Sequence, residues 1–589
     1  MIDPLPPAVI LILGALLVPV FKGSLKKAYL LMLPALAFWD LLQMPAGSYW
    51  VVDFLSYDLI FGRVDELSMA FGYVFVLITF IGILYSLHDD NDLQHMASLI
   101  YAGGALGVTF AGDLFSLFIF WEILALSSVF LVLARKRSAS SAAAFRYFVW
   151  HFFGGICLLA GIIVYVLERG SPAFDHIGLS GWASYLIFTG FALNAAVFPL
   201  HAWLPDAYPN ATVTGAVFMS ALTTKSAVYI LARTFAGTEL LIWAGALMTC
   251  FPIFYAVIVN DIRRVLAYSL INQVGFMVCG IGIGTPLALN GVVSHAFCHI
   301  IYKALLFMST GAVLHMTGRI RATDLGGLYK TMPFTAVCCM IGAASISAFP
   351  LFSGFVSKSM TVTAAAEEHL TIVWLMLMFA SAGVFHHAGI KVPFFVFFGH
   401  DAGIRTQEPP LNMRLAMGIA SFICIFLGVF PQPLYQILPY PVQYVPYTAF
   451  HVVGMLQLLM FGALAFTLLV LSGYYPPEMR ALNLDTDWFA RIPGRTFVRF
   501  CQAPLGRIKD AVESRVSRLI DVIKTFPDRS VVMENGIDTV FHSGLTALPH
   551  LLYVWGRHLR TEIKQLSWNL AYILMPFFVL LIIMLIWLS

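Results

Sequence analysis

Continuous apolar segments, repeated along almost the whole chain, set the strongest limit on what this sequence can fold into. Segments 67–87, 114–134, 241–259 and 568–588 run without alternation of polar and apolar residues. A membrane-crossing helix needs about 20 apolar residues, whereas a barrel strand needs about 10 alternating ones. The pattern therefore specifies an all-α, polytopic bundle of membrane helices and rejects a barrel. Composition agrees. Of 589 residues, 60% are hydrophobic and 11% are Asp, Glu, Lys or Arg. Soluble proteins carry about 25% charged residues, so a soluble enzyme, a disordered chain and a nucleic-acid binder are excluded. A formal net charge of +3 argues for no polyanionic partner. The eight cysteines fall mostly within apolar runs and form no CxxC. They read as buried small residues, not as a disulfide framework, a zinc site or an iron–sulfur ligand set, so no cofactor or metal is expected. An acid and prolines precede the first run, 8–21, which reads as a retained span rather than a cleaved signal peptide.

About 14–16 spans are expected from these lengths. Two of them look interrupted. In the seventh, an apolar piece at 183–199 is followed by Pro-Leu-His-Ala-Trp-Leu-Pro-Asp and a second piece at 211–235. The twelfth is broken by Phe-Pro-Leu-Phe-Ser-Gly-Phe at 349–355. Phe198-Pro199-Leu200 and Phe349-Pro350-Leu351 open the two breaks, and Lys225 and Lys358 follow them. Paired broken helices point to an internally repeated transporter. Between the last two spans, 474–567 is charged. Leu505, Ile508, Val512, Val516, Leu519, Ile520 and Ile523 recur every three or four residues among charges, as in an amphipathic helix lying along a membrane or along neighbouring helices. Cationic loops after the first and fifth spans (Lys22, Lys26, Lys27; Arg135, Lys136, Arg137) put 474–567 in the cytoplasm by the positive-inside rule. Arg263, Arg264, Arg319 and Arg321 fall on the opposite side by this count.

Ionisable residues within spans are costly and are candidates for function. Glu122 and Lys225 each lie near the middle of an apolar run. In contact they would share protons as a coupled pair, and separating them would let the lysine release its proton. His295, His299 and Lys303 are spaced four apart and form one helical stripe, suited to proton relay. Two histidines at that spacing also suit zinc, but the helix offers no acidic third ligand. His386, His387 and Lys391 are candidates to continue the line. Lys358, just after the second interruption, is read as part of a pathway. His151 is read as an interfacial histidine near the start of its span.

The same residues carry a resemblance. Trp121-Glu122, Pro199-Leu200-His201-Ala202-Trp203-Leu204-Pro205-Asp206-Ala207, Lys225, Asp261-Ile262-Arg263-Arg264-Val265-Leu266-Ala267-Tyr268-Ser269, His299 to Lys303 with Ala304-Leu305-Leu306-Phe307, and Gly354-Phe355-Val356-Ser357-Lys358 occur in that order. This set, spanning roughly residues 65–400, resembles the antiporter-like proton-translocating subunits of respiratory complex I, of Mrp-type antiporters and of membrane-bound hydrogenases. The resemblance implies two inverted five-helix repeats and a C-terminal lateral helix. The chain then divides into N-terminal helices (1–94), first and second repeats (95–260 and 261–400), further helices (401–473), the lateral segment (474–567) and a last span (568–589). It also implies roles: Glu122 as the fifth-helix glutamate, Lys225 as the seventh-helix lysine, His295, His299 and Lys303 as the tenth-helix relay, and Lys358 as the twelfth-helix exit residue. Relatives carry lysine where this chain has Arg263. An arginine holds charge but does not release its proton in proteins.

The function implied is translocation of protons, with Na⁺ as a second candidate ion. The chain would do this together with other hydrophobic membrane subunits, in the cell (inner) membrane. Any redox chemistry would reside in those partners. The competing reading is a stand-alone secondary transporter for a small solute, which would want a polar chamber at mid-membrane. For 499–526 the expectation is a helix parallel to the membrane on the cytoplasmic side. Cysteine placed by Arg507→Cys or Arg518→Cys should be labelled from the cytoplasmic face of sealed vesicles, and labelling from the outer face alone would overturn it.

Overall fold

Short polar caps and prolines decide where the apolar runs turn. In the computed structural model, residues 5–475 apart from 55, 56 and 174 are described, with 485, 486 and 488. The expected lateral helix and the last span lie outside the described residues. The first six helices of the bundle, numbered as crossings one to six, are Pro7–Val20, Gly23–Leu41, Glu66–Ser86, Asp92–Phe110, Leu114–Leu133 and Ser138–Arg169, of which Glu66–Ser86, Leu114–Leu133 and Ser138–Arg169 are long and apolar enough to cross a membrane. Asp65, Asn91 and Asp113 cap the third, fourth and fifth by accepting hydrogen bonds from first-turn N–H groups. An antiparallel hairpin, Gly47–Phe54 with Tyr57–Val64, joins the second and third crossings. Its Ile60 N–H donates to the Asp113 carboxylate at 2.7 Å.

The seventh crossing is broken, but not as the sequence suggested. Helix Gly181–Asn194 ends at a left-handed Ala196 (φ 55), and the chain resumes as the short helix Trp203–Ala207. Both pieces pack against the long helix Ser138–Arg169. The segment 211–235 is not its other half. The chain turns at Tyr208–Asn210, Thr212 caps a new helix through Gly215 N–H, and Val213–Thr234 is an eighth crossing in its own right. This eighth crossing has its own interruption at Leu222 (φ −97, ψ −66), where helix Val213–Ala221 gives way to Thr223–Thr234.

The ninth, tenth and eleventh crossings are Glu239–Ile258, Ile262–Ile283 and Pro286–Thr317. Conversely, the two helices Pro333–Ile346 and Ser353–Glu367 form one broken twelfth crossing, since both pack along Pro286–Thr317. The thirteenth, Thr371–Phe398, is wound as π-helix over Phe385–Lys391 and Phe394–Phe398. Leu411–Val429 and Ala449–Leu471 are the fourteenth and fifteenth.

This count gathers the cationic loops on one face. Asp261 bridges to Arg321, Lys330 pairs with Asp401 at 2.9 Å, and Arg135 donates to the Pro209 carbonyl. Hydrogen bonds from Arg405, Lys330 and Gly403 N–H hold the exposed Asp401 carboxyl well below the usual carboxylate range. Arg263, Arg264, Arg319 and Arg321 thus join Arg135–Arg137, and the exception to the charge rule disappears.

The two repeats are visible as matched details on opposite faces. The sixth and eleventh helices are each 32 residues long and end on a left-handed glycine, Gly170 or Gly318. Asp113 caps the fifth and pairs with Ala173 after the sixth; Asp261 caps the tenth and pairs with Arg321 after the eleventh. Small residues bring the ninth and tenth helices into backbone contact. A Cβ on Gly245 would collide with the Cys279 backbone nitrogen. Such close approach is how membrane helices gain packing energy where lipid offers no hydrophobic contrast. Gly245→Val should therefore separate the pair at a cost of about 1–3 kcal/mol. Thermal unfolding in detergent should fall by several degrees, and an unchanged midpoint would contradict this packing.

Candidate functional site

The interruptions matter because a broken helix frees backbone carbonyls inside an apolar bundle, where each must find a donor. Lysines take this role at two breaks and at one helix end. At Leu222, Thr223 N–H donates to the Tyr101 hydroxyl at 3.0 Å, outside its own helix. Lys225, fully buried just beyond this break, donates to Ser220 O at 2.7 Å and to Thr224 Oγ1 at 3.1 Å. At the twelfth-crossing break, buried Lys358 donates to Ile346 O at 3.0 Å and lies 5.2 Å from the Phe276 ring centroid. Lys391, in the π-helical stretch, donates to Ala256 O (3.2 Å), Val257 O (2.5 Å) and Val259 O (2.9 Å), the end of the ninth helix. A π turn re-aims a side chain relative to the regular helix, and here it accompanies the lysine that holds a neighbour's C-terminus.

Between these lysines lies a line of buried titratable groups. His295, His299 and Lys303 are fully buried on the eleventh crossing, with the His295 and His299 rings 6.0 Å apart. His295 Nδ1 is 3.4 Å from Ser357 Oγ. Both His299 ring nitrogens, Lys303 Nζ and both His387 ring nitrogens lack a hydrogen-bonding partner among the described residues. Polar atoms in that condition are the places where buried water is held. Lys225 lies within electrostatic reach of His299 and Lys303, Lys303 of His387, and Lys358 of His295. Sequence reasoning missed the polar pair on the tenth helix, where Tyr302 donates to Gln273 Oε1 at 3.1 Å and Gln273 Nε2 donates to Asn272 Oδ1 at 2.5 Å.

The remaining expected residues are placed differently. Lys225 belongs to the eighth crossing, not the seventh, and His295, His299 and Lys303 to the eleventh, not the tenth, because the seventh break was joined to the wrong segment. Glu122 is not brought to Lys225. Its Oε1 presses against Gly155, where any Cβ would collide with it, and that oxygen accepts no hydrogen bond from the described residues. Arg263 forms no ion pair with Asp261, whose carboxylate instead accepts from Arg264 N–H. Its buried guanidinium donates to Pro209 O (3.2 Å), Ala211 O (3.1 Å) and Thr212 O (3.0 Å). It clamps the turn between the seventh and eighth crossings.

These features define a class by fold: a bundle of apolar helices with matched halves and interrupted, lysine-bearing helices. Residues 111–385 match the NADH:quinone oxidoreductase/Mrp antiporter transmembrane family, and the resemblance carried by the motifs holds. The chain is 30% identical over 410 residues to a probable K(+)/H(+) antiporter subunit of Rhizobium meliloti, an alignment covering 63% of this chain and 40% of that relative. It therefore spans less than half the length of that protein. Among solved structures, a chain of the membrane-bound sulfane sulfur reductase, an archaeal respiratory membrane complex, superposes with a TM-score of 0.66 at 26% identity, covering 73% of this chain and 95% of that one. A chain of the Mrp complex from Dietzia sp. superposes with a TM-score of 0.65 at 21% identity, covering 77% and 98%.

The Arg263 clamp makes a graded prediction. A hydrogen bond to a charged group contributes about 1.5–3 kcal/mol. Arg263→Lys keeps the charge but cannot span three carbonyls in one plane. It should lose part of the thermal stability, and Arg263→Ala more. Measured unfolding midpoints check this order, and equal midpoints for arginine and alanine would remove the clamp.

Proposed function

We propose that the chain is an ion-translocating subunit of a multisubunit membrane complex of the Mrp, complex I-like or related kind, moving protons along its buried lysines and histidines. The observation that carries this reading is the line Lys225, His299, Lys303, His387, Lys391, in which each member lies within electrostatic reach of another or holds the end of a broken or terminating helix. An ammonium shared with carbonyls and a neighbouring cation is poised to release its proton when a further charge approaches, and to regain it when that charge leaves. His295 and Lys358 form a second arm through Ser357. Arg263 serves this line as a fixed clamp, not as a relay. Glu122 supplies the carboxylate of the first half, apart from Lys225.

A monovalent cation exchanged for protons, Na⁺ or K⁺, fits the K(+)/H(+) relative. Other hydrophobic membrane subunits are the expected partners, by the Mrp and sulfane sulfur reductase neighbours. The face bearing Arg135–Arg137, Arg263, Arg264, Arg319 and Arg321 is the cytoplasmic one by the positive-inside rule. We do not favour the stand-alone solute transporter: it wants a polar chamber at mid-membrane, whereas the buried polar groups here are single side chains strung between helices.

Lys225→Ala and Glu122→Ala should each lower proton flux in vesicles carrying the assembled complex by at least about 10-fold. Assembly, followed by co-purification of the other subunits, should be unchanged. Wild-type flux in Lys225→Ala would overturn the reading.

A further inference from the structure

Glu122 and Lys225 do not meet, yet a set of buried polar groups lies on the helices between them, and the line just described uses none of it. At its centre is His151. Its position, thirteen residues into helix Ser138–Arg169, puts it about 20 Å from that helix's start. It is buried, and neither ring nitrogen has a hydrogen-bonding partner among the described residues. Gly155, against which Glu122 presses, is one turn away on the same helical stripe. The Asn194 amide faces His151 from the broken end of the seventh helix, and neither of its polar side-chain atoms has a hydrogen-bonding partner among the described residues. Trp203 closes the break. Its indole N–H donates to Leu193 O at 3.0 Å, and its ring meets the His151 ring edge-on at 4.6 Å. The imidazole is thus held by the rings around it, while the ring nitrogen that carries no proton stays open to one.

Hydroxyls continue from there. Tyr147, one turn before His151, stacks obliquely on it at 4.2 Å. The Tyr147 hydroxyl is 2.8 Å from Ser128 Oγ and faces Thr223. Thr223 Oγ1 is 2.5 Å from the Tyr101 hydroxyl. The next residue, Thr224, accepts from Lys225 Nζ at 3.1 Å. Four helices contribute one or two groups each, and every hydroxyl can accept one proton while donating another. The titratable and charged groups on His151's helix and its neighbours are Glu122 on the fifth helix, Tyr101 on the fourth, Tyr147 on its own, Tyr208 at the end of the seventh, Lys225 on the eighth, and the Arg146–Asp206 ion pair at 2.7 Å.

We propose that His151 is a proton-relay residue of the first repeat, connecting Glu122 to Lys225 through the Tyr147, Ser128, Tyr101, Thr223 and Thr224 hydroxyls. The proton leaves the Glu122 carboxyl for an imidazole nitrogen, giving carboxylate and imidazolium. It then moves by successive O–H exchange, each hydroxyl gaining one proton as it gives up another, until the neutral Lys225 amine becomes ammonium. No net charge is created or lost. Asn194 and Trp203 are positioning residues: they hold the broken helix end open beside the ring without taking up the proton.

The proposal rests on the translocating function argued above, and the experiment separates the two. Proton flux is measured in vesicles carrying the full chain in its native complex, for Lys225→Ala, His151→Gln, His151→Lys and the double variant Tyr147→Phe/Thr223→Val. The expected result is loss of flux in Lys225→Ala, at least a 10-fold loss in His151→Gln, and partial recovery in His151→Lys with a shifted pH profile. The hydroxyl double variant should fall several-fold with assembly intact. Glutamine matches histidine in size but does not titrate, so a packing role would leave glutamine the better tolerated of the two, and that result would overturn the relay. Loss in Lys225→Ala with wild-type flux in His151→Gln would likewise overturn the relay and leave the function standing. Wild-type flux in Lys225→Ala would overturn the function itself, and the relay with it.

Discussion

An ammonium group held by backbone carbonyls at a break or end of a helix is the interaction on which the rest of this structure depends. In an apolar bundle a carbonyl inside an uninterrupted helix already accepts its own helix N–H, whereas a carbonyl at a break has lost that donor. Interrupting the helix creates both the need and the remedy. The freed carbonyl requires a donor, and the lysine requires a partial negative charge. Ser220 O with Lys225 and Ile346 O with Lys358 are two such solutions, and Lys391 on the end of the ninth helix is a third. Such a site is weaker than an ion pair with a carboxylate. That weakness would suit the proton exchange proposed for Lys225, because a buried full ion pair is costly to break, at about 3–5 kcal/mol.

Both halves of the bundle carry an interrupted crossing of this kind. Each half contributes one 32-residue helix, against which a broken crossing packs. The eleventh helix carries the buried histidines and Lys303. The halves are not chemically equal. The seventh crossing closes its break with a neutral indole N–H, and the twelfth with an ammonium. Between them Arg263 and Arg135 fix the turn at 209–212, so that the eighth crossing, wholly buried, begins from a fixed point.

How much of this was legible in the sequence follows from physical scale. Lys225, Glu122, Lys303 and Lys358 stood out because a charge in an apolar run is conspicuous on its own. The helical stripe of His295, His299 and Lys303 was legible because i, i+4 spacing is a property of one helix. Which helix carries which residue was less so. Tyr208-Pro209-Asn210-Ala211-Thr212 is a turn plus an N-cap, a signal present in the sequence but overridden by the apolar run that follows. That error split one crossing wrongly and merged another pair, leaving the later parity intact while placing four arginines on the wrong face. Contacts between helices were not legible at all. Nothing in the chain announces that Arg263 would find carbonyls rather than Asp261, that Glu122 would face Gly155, or that Phe385–Lys391 would wind as a π-helix. His151 reads as interfacial in the sequence because the ends of a 32-residue helix are hard to fix from hydropathy.

The central claim is that Lys225 must be able to lose its proton while remaining bound to the freed carbonyl. Arginine keeps the positive charge and the donors but does not deprotonate. The most direct test is therefore proton flux through the assembled complex carrying Lys225→Arg, with assembly measured in the same membranes. The account predicts normal assembly with flux at least about 100-fold below wild type. Flux near the wild-type level in Lys225→Arg would contradict it, since a fixed charge would then serve as well as a titrating one.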